Sequence, residues 1–155
     1  MNTTTTPLYK DLLKRCKEIN AEANTEKVMQ AVCTLLKNNI ESYDWVGFYM
    51  GNEAERMLHL GPYAGEHTDH TSIPFGKGIC GQAADNKETF VIDDVSMEDN
   101  YIACNIHVKS EIVVPMFKDG SVIGQIDIDS HTAAAFDEND TSFLEEICKM
   151  IAERY

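Results

Sequence analysis

Residues 111–117 (Glu-Ile-Val-Val-Pro-Met-Phe) and 121–129 (Ser-Val-Ile-Gly-Gln-Ile-Asp-Ile-Asp) are two β-prone runs flanking an Asp119-Gly120 pair. Asp-Gly between alternating apolar residues is a strong local signal for a tight β-hairpin, so the chain must accommodate an antiparallel sheet. Pro115 has no N–H to donate to a ladder and marks an edge or a bulge. In the second strand Asp127 and Asp129 leave one face, while Ile126 and Ile128 leave the other. Asp is a poor strand former and like charges side by side repel, so a pair at this spacing either faces solvent or serves a site. Glu111 opens the partner strand and adds a third carboxylate whose register the sequence leaves open. Clustered carboxylates suit two tasks, holding a cation such as an α-ammonium group or sharing a proton that stays bound near neutral pH.

The rest of the chain frames this hairpin. Leu8, Leu12, Leu13, Cys16 and Ile19 recur at helical spacing, as do Val28, Val32, Leu35 and Leu36, which predicts two amphipathic helices over about residues 8–38, broken near Asn24-Thr25. Residues 45–50 and 57–60 predict a first hairpin turning at Gly51-Asn52. A glycine-punctuated loop over 61–81, a short helix over 82–86, a strand over 89–92 and a second long loop over 93–110 follow. Asp137 caps a final helix whose Phe143, Leu144, Ile147, Cys148 and Ile151 share a stripe. The expected architecture is one α+β domain over residues 1–155, with terminal helices covering one face of an antiparallel sheet.

The chain has 155 residues, with 13 basic against 26 acidic ones, giving a formal net charge of −13. That balance opposes binding to nucleic acid or anionic lipid, which needs clustered Lys and Arg. No apolar run approaches the ~20 residues of a membrane span, and the Thr-rich start does not read as a signal peptide, so the expected location is cytoplasmic. Five cysteines with no Cys-x-x-Cys pair fit neither a disulfide framework nor a zinc knuckle. Cys16, Cys33 and Cys148 lie on apolar stripes and read as core. Cys80 follows a glycine turn at a helix start, where aligned N–H groups favour thiolate, and Cys104 lies in a loop near His107 and Lys109. A metal site recruiting these thiols with His70 and His107, or His67 with His70, lacks paired short spacings, and Gly76-x-Gly78-x-x-Gly81 lacks the strand and βαβ unit of a dinucleotide site. Neither metal nor cofactor is expected.

Trp45-Val-Gly-Phe-Tyr49, Leu60-Gly-Pro-Tyr63, the run from Ile73 to Gly81 (Ile-Pro-Phe-Gly-Lys-Gly-Ile-Cys-Gly), Ile102-Ala-Cys104, Ser110-Glu-Ile-Val-Val-Pro115 and Ile126-Asp-Ile-Asp-Ser130 together resemble the free methionine-(R)-sulfoxide reductases, a branch of the GAF domains. The resemblance is ordered and covers most of the chain from about residue 44. It implies a sheet of about six strands, helices on one face and a loop-closed pocket on the other. It assigns attack on the sulfoxide to Cys104, a second redox thiol to Cys80, pocket carboxylates to Glu111, Asp127 and Asp129, and aromatic walls to Trp45 and Tyr49. It further implies thioredoxin as reductant and pairing into a homodimer through terminal helices. A further cysteine that the family carries ten residues before Cys80 is replaced by His70, and the acid that follows the attacking cysteine is Asn105. The chemistry fits the residues: a sulfoxide must be protonated on oxygen before a thiolate attacks its sulfur, so thiol and acid belong together. On this reading Glu111 and Asp129 share that proton and Asp127 holds the substrate ammonium. The alternative is a non-catalytic GAF sensor that keeps the pocket without turnover.

Overall fold

Asp119 and Gly120 both take positive φ, 52° and 82°, the turn geometry whose twist matches that of the strands it joins. The turn fixes the register of the hairpin it closes: Glu111 stands opposite Asp129, Val113 opposite Asp127, and Pro115 opposite Gln125. The computed structural model describes residues 5–102 and 106–155. Along the chain these form α1 (Thr5–Ile19), α2 (Thr25–Asn39), β1 (Trp45–Asn52), β2 (Met57–Ala64), β3 (Ser72–Pro74), α3 (Gly78–Asn86), β4 (Phe90–Ile92), a 3₁₀ turn (Val95–Met97), β5 (Ser110–Lys118), β6 (Ser121–Ser130) and α4 (Glu138–Ala152). The strands make one six-stranded sheet in the order β3-β2-β1-β6-β5-β4, every pair antiparallel. β4 pairs only with residues 111–113 of β5, so Pro115 lies beyond its end, on an edge where a missing N–H costs nothing.

The alternation of the central strands divides the molecule. Val46, Phe48, Ile112, Val114, Ile126 and Ile128 point to one face and join the helices in the main core. There α4 lies on β5, α2 lies on β2, and α1 packs on α2 and α4. Cys16, Cys33 and Cys148 are buried in this core as expected. Asp137 caps α4 through a capping box closed by Asp140. Asp140 is itself buried, accepting hydrogen bonds from the hydroxyls of Tyr9 (2.5 Å) and Tyr43 (2.6 Å), so one carboxylate joins α1, the approach to β1 and the start of α4. Past the other end of α4, the Arg154 guanidinium donates to Thr25 Oγ1, to both oxygens of Asn20 and to the carbonyls of Glu22 and Ala23, tying the α1–α2 connection to the end of the chain.

Three expectations are corrected. Gly51 and Asn52 are not the first turn but the end of β1. The reversal is made by residues 53–56, where Asn52 Oδ1 accepts from the Glu55 N–H and Arg56 takes φ 53°. Gly51 is needed for strand approach, since a Cβ there would lie 2.2 Å from the Met57 carbonyl oxygen. The expected loop over 61–81 contains the second half of β2, all of β3 and the first turn of α3, which starts at Gly78 rather than residue 82. Its glycines read as punctuation, yet Gly81 sits inside the helix because a Cβ would come within 2.4 Å of the Pro74 carbonyl oxygen.

Candidate active site

The second face of the sheet carries the predicted site. Trp45 pairs with Asp129, Gly47 with Asp127 and Tyr49 with Gln125 across β1 and β6. With the register of β5, these pairs set Glu111, Asp127, Asp129, Gln125, Trp45 and Tyr49 on one surface. Its carboxyls are not solvated: Glu111, Asp127 and Asp129 are 5%, 1% and 3% exposed. α3 lies over them and lowers Cys80 onto the sheet, with Cys80 Sγ 3.9 Å from Glu111 Oε2. Ligand atoms of Cys80, Glu111 and Asp127 all lie within 4.8 Å of one another, a spacing that an ammonium group or a small cation would bridge.

Burial and mutual repulsion control the protons here. Burial pushes the Asp127 carboxyl above the usual range against the opposing pull of hydrogen bonds from Glu111 and Cys80. Asp129 is driven well above it, by burial first and then by the charge of Asp127, while its hydrogen bond with Glu111 pulls the other way. Glu111 thus stands between two aspartates and bonds to both. Asp127 Oδ1 and Gln125 Oε1 are buried and have no hydrogen-bond partner among the described residues. The expectation that a helix start favours Cys80 thiolate is corrected. Burial, then the charges of Asp127, Glu111 and Asp129, hold its thiol well above the ordinary value, outweighing the partial charge of a helix end.

Aromatic rings close the other side. Trp45 stacks on Tyr63 at 5.4 Å between ring centroids and lies 6.3 Å from Tyr49. Trp45 covers Gly47 so closely that a Cβ there would sit 2.3 Å from the indole. The indole N–H donates to the Glu66 carbonyl and the Tyr49 hydroxyl to the His70 carbonyl, so the wall residues also pin the loop between β2 and β3. Two clefts flank the carboxyls. One is lined by Tyr49, Lys77, Cys80, Ile102, Glu111 and Asp127. The other is lined by Trp45, Thr68, Val108, Asp129 and His131, and both are narrow, with cavity volumes of about 10 Å³ and about 30 Å³.

The structure therefore brings together six of the seven predicted site residues; Cys104, with Asn105, lies outside the described residues. Sequence reasoning missed Gln125, fully buried, whose Nε2 donates to the Cys80 carbonyl at 3.1 Å. A signal was present, since Gln125 continues the same alternate positions as Asp127 and Asp129. It also missed Gly47 and Asn100. Nothing in local spacing shows that the Asn100 side chain accepts from the Gly78 N–H (2.9 Å) and donates to the Gly76 carbonyl (2.7 Å).

A six-stranded antiparallel sheet with α1, α2 and α4 on one side and, on the other, a polar pocket covered by α3 and loops is the architecture of a GAF domain, and the GAF-domain family model matches residues 22–153. Among curated proteins, a free methionine-R-sulfoxide reductase of Saccharomyces cerevisiae is 38% identical over 136 residues, covering 86% of this chain and 75% of that protein. One from Escherichia coli is 32% identical, covering 92% and 85%. The solved structure of free methionine-R-sulfoxide reductase from Neisseria meningitidis in complex with its substrate superposes with a TM-score of 0.91 at 36% identity, covering 99% of this chain and 92% of that one. The chain belongs to the free methionine-R-sulfoxide reductase branch of the GAF-domain family. No helix among the described residues is long and apolar enough to cross a membrane.

Proposed function

We propose that this chain, read as a single domain, reduces free methionine-(R)-sulfoxide to methionine by thiol chemistry. The observation that carries the reading is the buried cluster of Glu111, Asp127 and Asp129 beneath the Cys80 thiol on a sheet face walled by Trp45 and Tyr49. Three buried carboxyls in mutual contact cannot all ionise, so the cluster keeps a proton near neutral pH. A sulfoxide oxygen placed there accepts that proton, and the sulfur becomes electrophilic. Glu111, bonded to both aspartates, and Asp129 deliver it. Asp127, with a buried oxygen that has no partner among the described residues, holds the substrate ammonium.

Cys104 is the nucleophile on this reading. Its thiolate attacks the sulfur of the protonated sulfoxide, the hydroxyl passes from that sulfur to Cys104 Sγ as the substrate S–O bond breaks and a new S–O bond forms, and methionine leaves with Cys104 as a sulfenic acid. Cys80 then attacks that sulfur: its proton passes to the Glu111 carboxylate 3.9 Å away, hydroxide leaves Cys104 and is protonated to water, and a disulfide forms. The Glu111 contact matters because Cys80 does not ionise unaided. A dithiol reductant, thioredoxin, returns both thiols. A cytoplasmic location, where such reductants act, and a homodimer through the terminal helices belong to the same proposal.

The test is methionine release from free methionine-(R)-sulfoxide with dithiothreitol. Release by the wild type and none by Cys104→Ser is expected. Wild-type release no greater than that of the variant returns the chain to the sensor reading, a pocket that binds without turnover.

A further inference from the structure

Cys80 is the third residue of α3, so the start of this helix sets where its sulfur lies. That start is not capped locally. Lys77 occupies the N-cap position and its side chain makes no capping hydrogen bond, although the first N–H groups of any helix need acceptors. The acceptor comes from 22 residues further along: Asn100 Oδ1 takes the Gly78 N–H at 2.9 Å. The same amide closes a second link, Nδ2 to the Gly76 carbonyl at 2.7 Å, and Gln82 Nε2 returns from within α3 to the Asn100 carbonyl at 3.0 Å. Packing supports these bonds. Ile102 covers Gly78 so tightly that a Cβ would meet its side chain at 2.9 Å, and Gly78 takes φ 64°. Three hydrogen bonds and one apolar contact therefore dock residues 100–102 on the start of the Cys80 helix and the turn that leads into it, and Cys104 follows Ile102 by two residues in the sequence.

We infer that Asn100, seconded by Gln82, is a positioning residue that holds the Cys80 helix start and the segment leading to Cys104 in one frame, and so governs the step in which the two sulfurs join. The inference rests on the proposal that Cys80 resolves the Cys104 sulfenic acid. Methionine release needs Cys104 and the carboxyls, whereas disulfide formation needs two thiols on separate segments to meet. Loss of the Asn100 amide therefore falls on the second step.

The test is a single turnover of the full chain with one equivalent of free methionine-(R)-sulfoxide and no external thiol. Methionine is followed by quench, the Cys80–Cys104 disulfide by non-reducing peptide mapping, and sulfenic acid by a dimedone trap. The expected result for Asn100→Ala is methionine release within about twofold of wild type, disulfide formation slowed roughly tenfold, the scale that one or two hydrogen bonds or a slight misplacement carries, and a matching rise in trapped sulfenic acid. Asn100→Asp retains the acceptor for Gly78 and recovers most of the rate, and Gln82→Ala gives a smaller slowing in the same direction. A general loosening would instead lower both steps together. Equal loss of both steps, or wild-type disulfide rates in Asn100→Ala and Gln82→Ala, overturns the inference. So does a wild type that releases methionine but never forms this disulfide. A wild type that releases no methionine overturns the functional proposal itself. Should Asn100→Ala fail to fold, Asn100→Asp and Gln82→Ala carry the comparison.

Discussion

Glu111 and Asp129 face each other directly across β5 and β6, two buried carboxyls from neighbouring strands. Their environment raises the Asp129 pKa, with Asp127 raised beside it. A group whose native pKa lies above its unfolded value, about 3.9 for Asp, stabilises the fold below that value and loses the contribution as pH rises through the native pKa. Asp129→Asn removes the ionisation. Melting temperatures should therefore be similar for the two proteins in acid, with the variant increasingly the more stable as pH rises, while its methionine formation falls. A wild-type advantage that grows with pH would contradict the raised Asp129.

Asp127→Asn should act on binding more than on chemistry. A charge-assisted contact to an ammonium is worth about 1.5–3 kcal/mol, so KM for the free amino acid sulfoxide should rise roughly 10- to 150-fold with a smaller fall in kcat. Steady-state kinetics with dithiothreitol measure both.

Gly47→Ala places a methyl where the Trp45 ring lies, 2.3 Å from the nearest indole carbon and 2.9 Å from Tyr63 Cβ. Both neighbours belong to the pocket wall and neither is a flexible chain end. Overpacking of this kind costs about 1–3 kcal/mol. The variant should melt lower and show weakened substrate binding together with altered Trp45 fluorescence, the single tryptophan in the chain.

Cys80→Ser should release about one methionine per enzyme and then stall with thioredoxin alone, while small thiols restore turnover by reducing the sulfenic acid directly. Continued turnover of the variant with thioredoxin as sole reductant would remove Cys80 from the resolving role.

Arg154→Lys keeps the charge but not the planar fork that reaches Thr25, Asn20, Glu22 and Ala23 together. A loss of about 1–3 kcal/mol is expected by chemical denaturation, with kcat and KM unchanged because neither Arg154 nor any of these partners lines the clefts beside the carboxyls.

Period and turn chemistry are local, and where they decide the structure the sequence was sufficient. The Asp119-Gly120 hairpin, the Asp137 cap, the amphipathic helices and the shared face of Asp127 and Asp129 were all legible. The register that sets Glu111 against Asp129 followed only once the turn geometry was known. Elements whose glycines serve close packing were misread, because Gly51 and Gly81 look like turn residues when the Met57 and Pro74 carbonyls that exclude a Cβ are out of view. Charge environment was also out of reach. The helix start that favours ionised Cys80 is a local property, whereas the carboxyls that oppose it arrive from β5 and β6. Asn100 lay hidden for the same reason, since its partners are 22 and 24 residues away.

The alternation along β6 has a further consequence. Ile126 and Ile128 belong to the main core and Asp127 and Asp129 to the opposite face, so the core and the proposed site are inscribed on alternate letters of one short segment. Substitution at the pocket letters can reshape what the sheet face recognises while the scaffold beneath is left whole, which makes the strand a ready place for ligand preference to diverge. Insertion or deletion has no such latitude. A slip of one residue would turn both carboxyls into the oily layer and both isoleucines into the pocket, forfeiting scaffold and site in a single event.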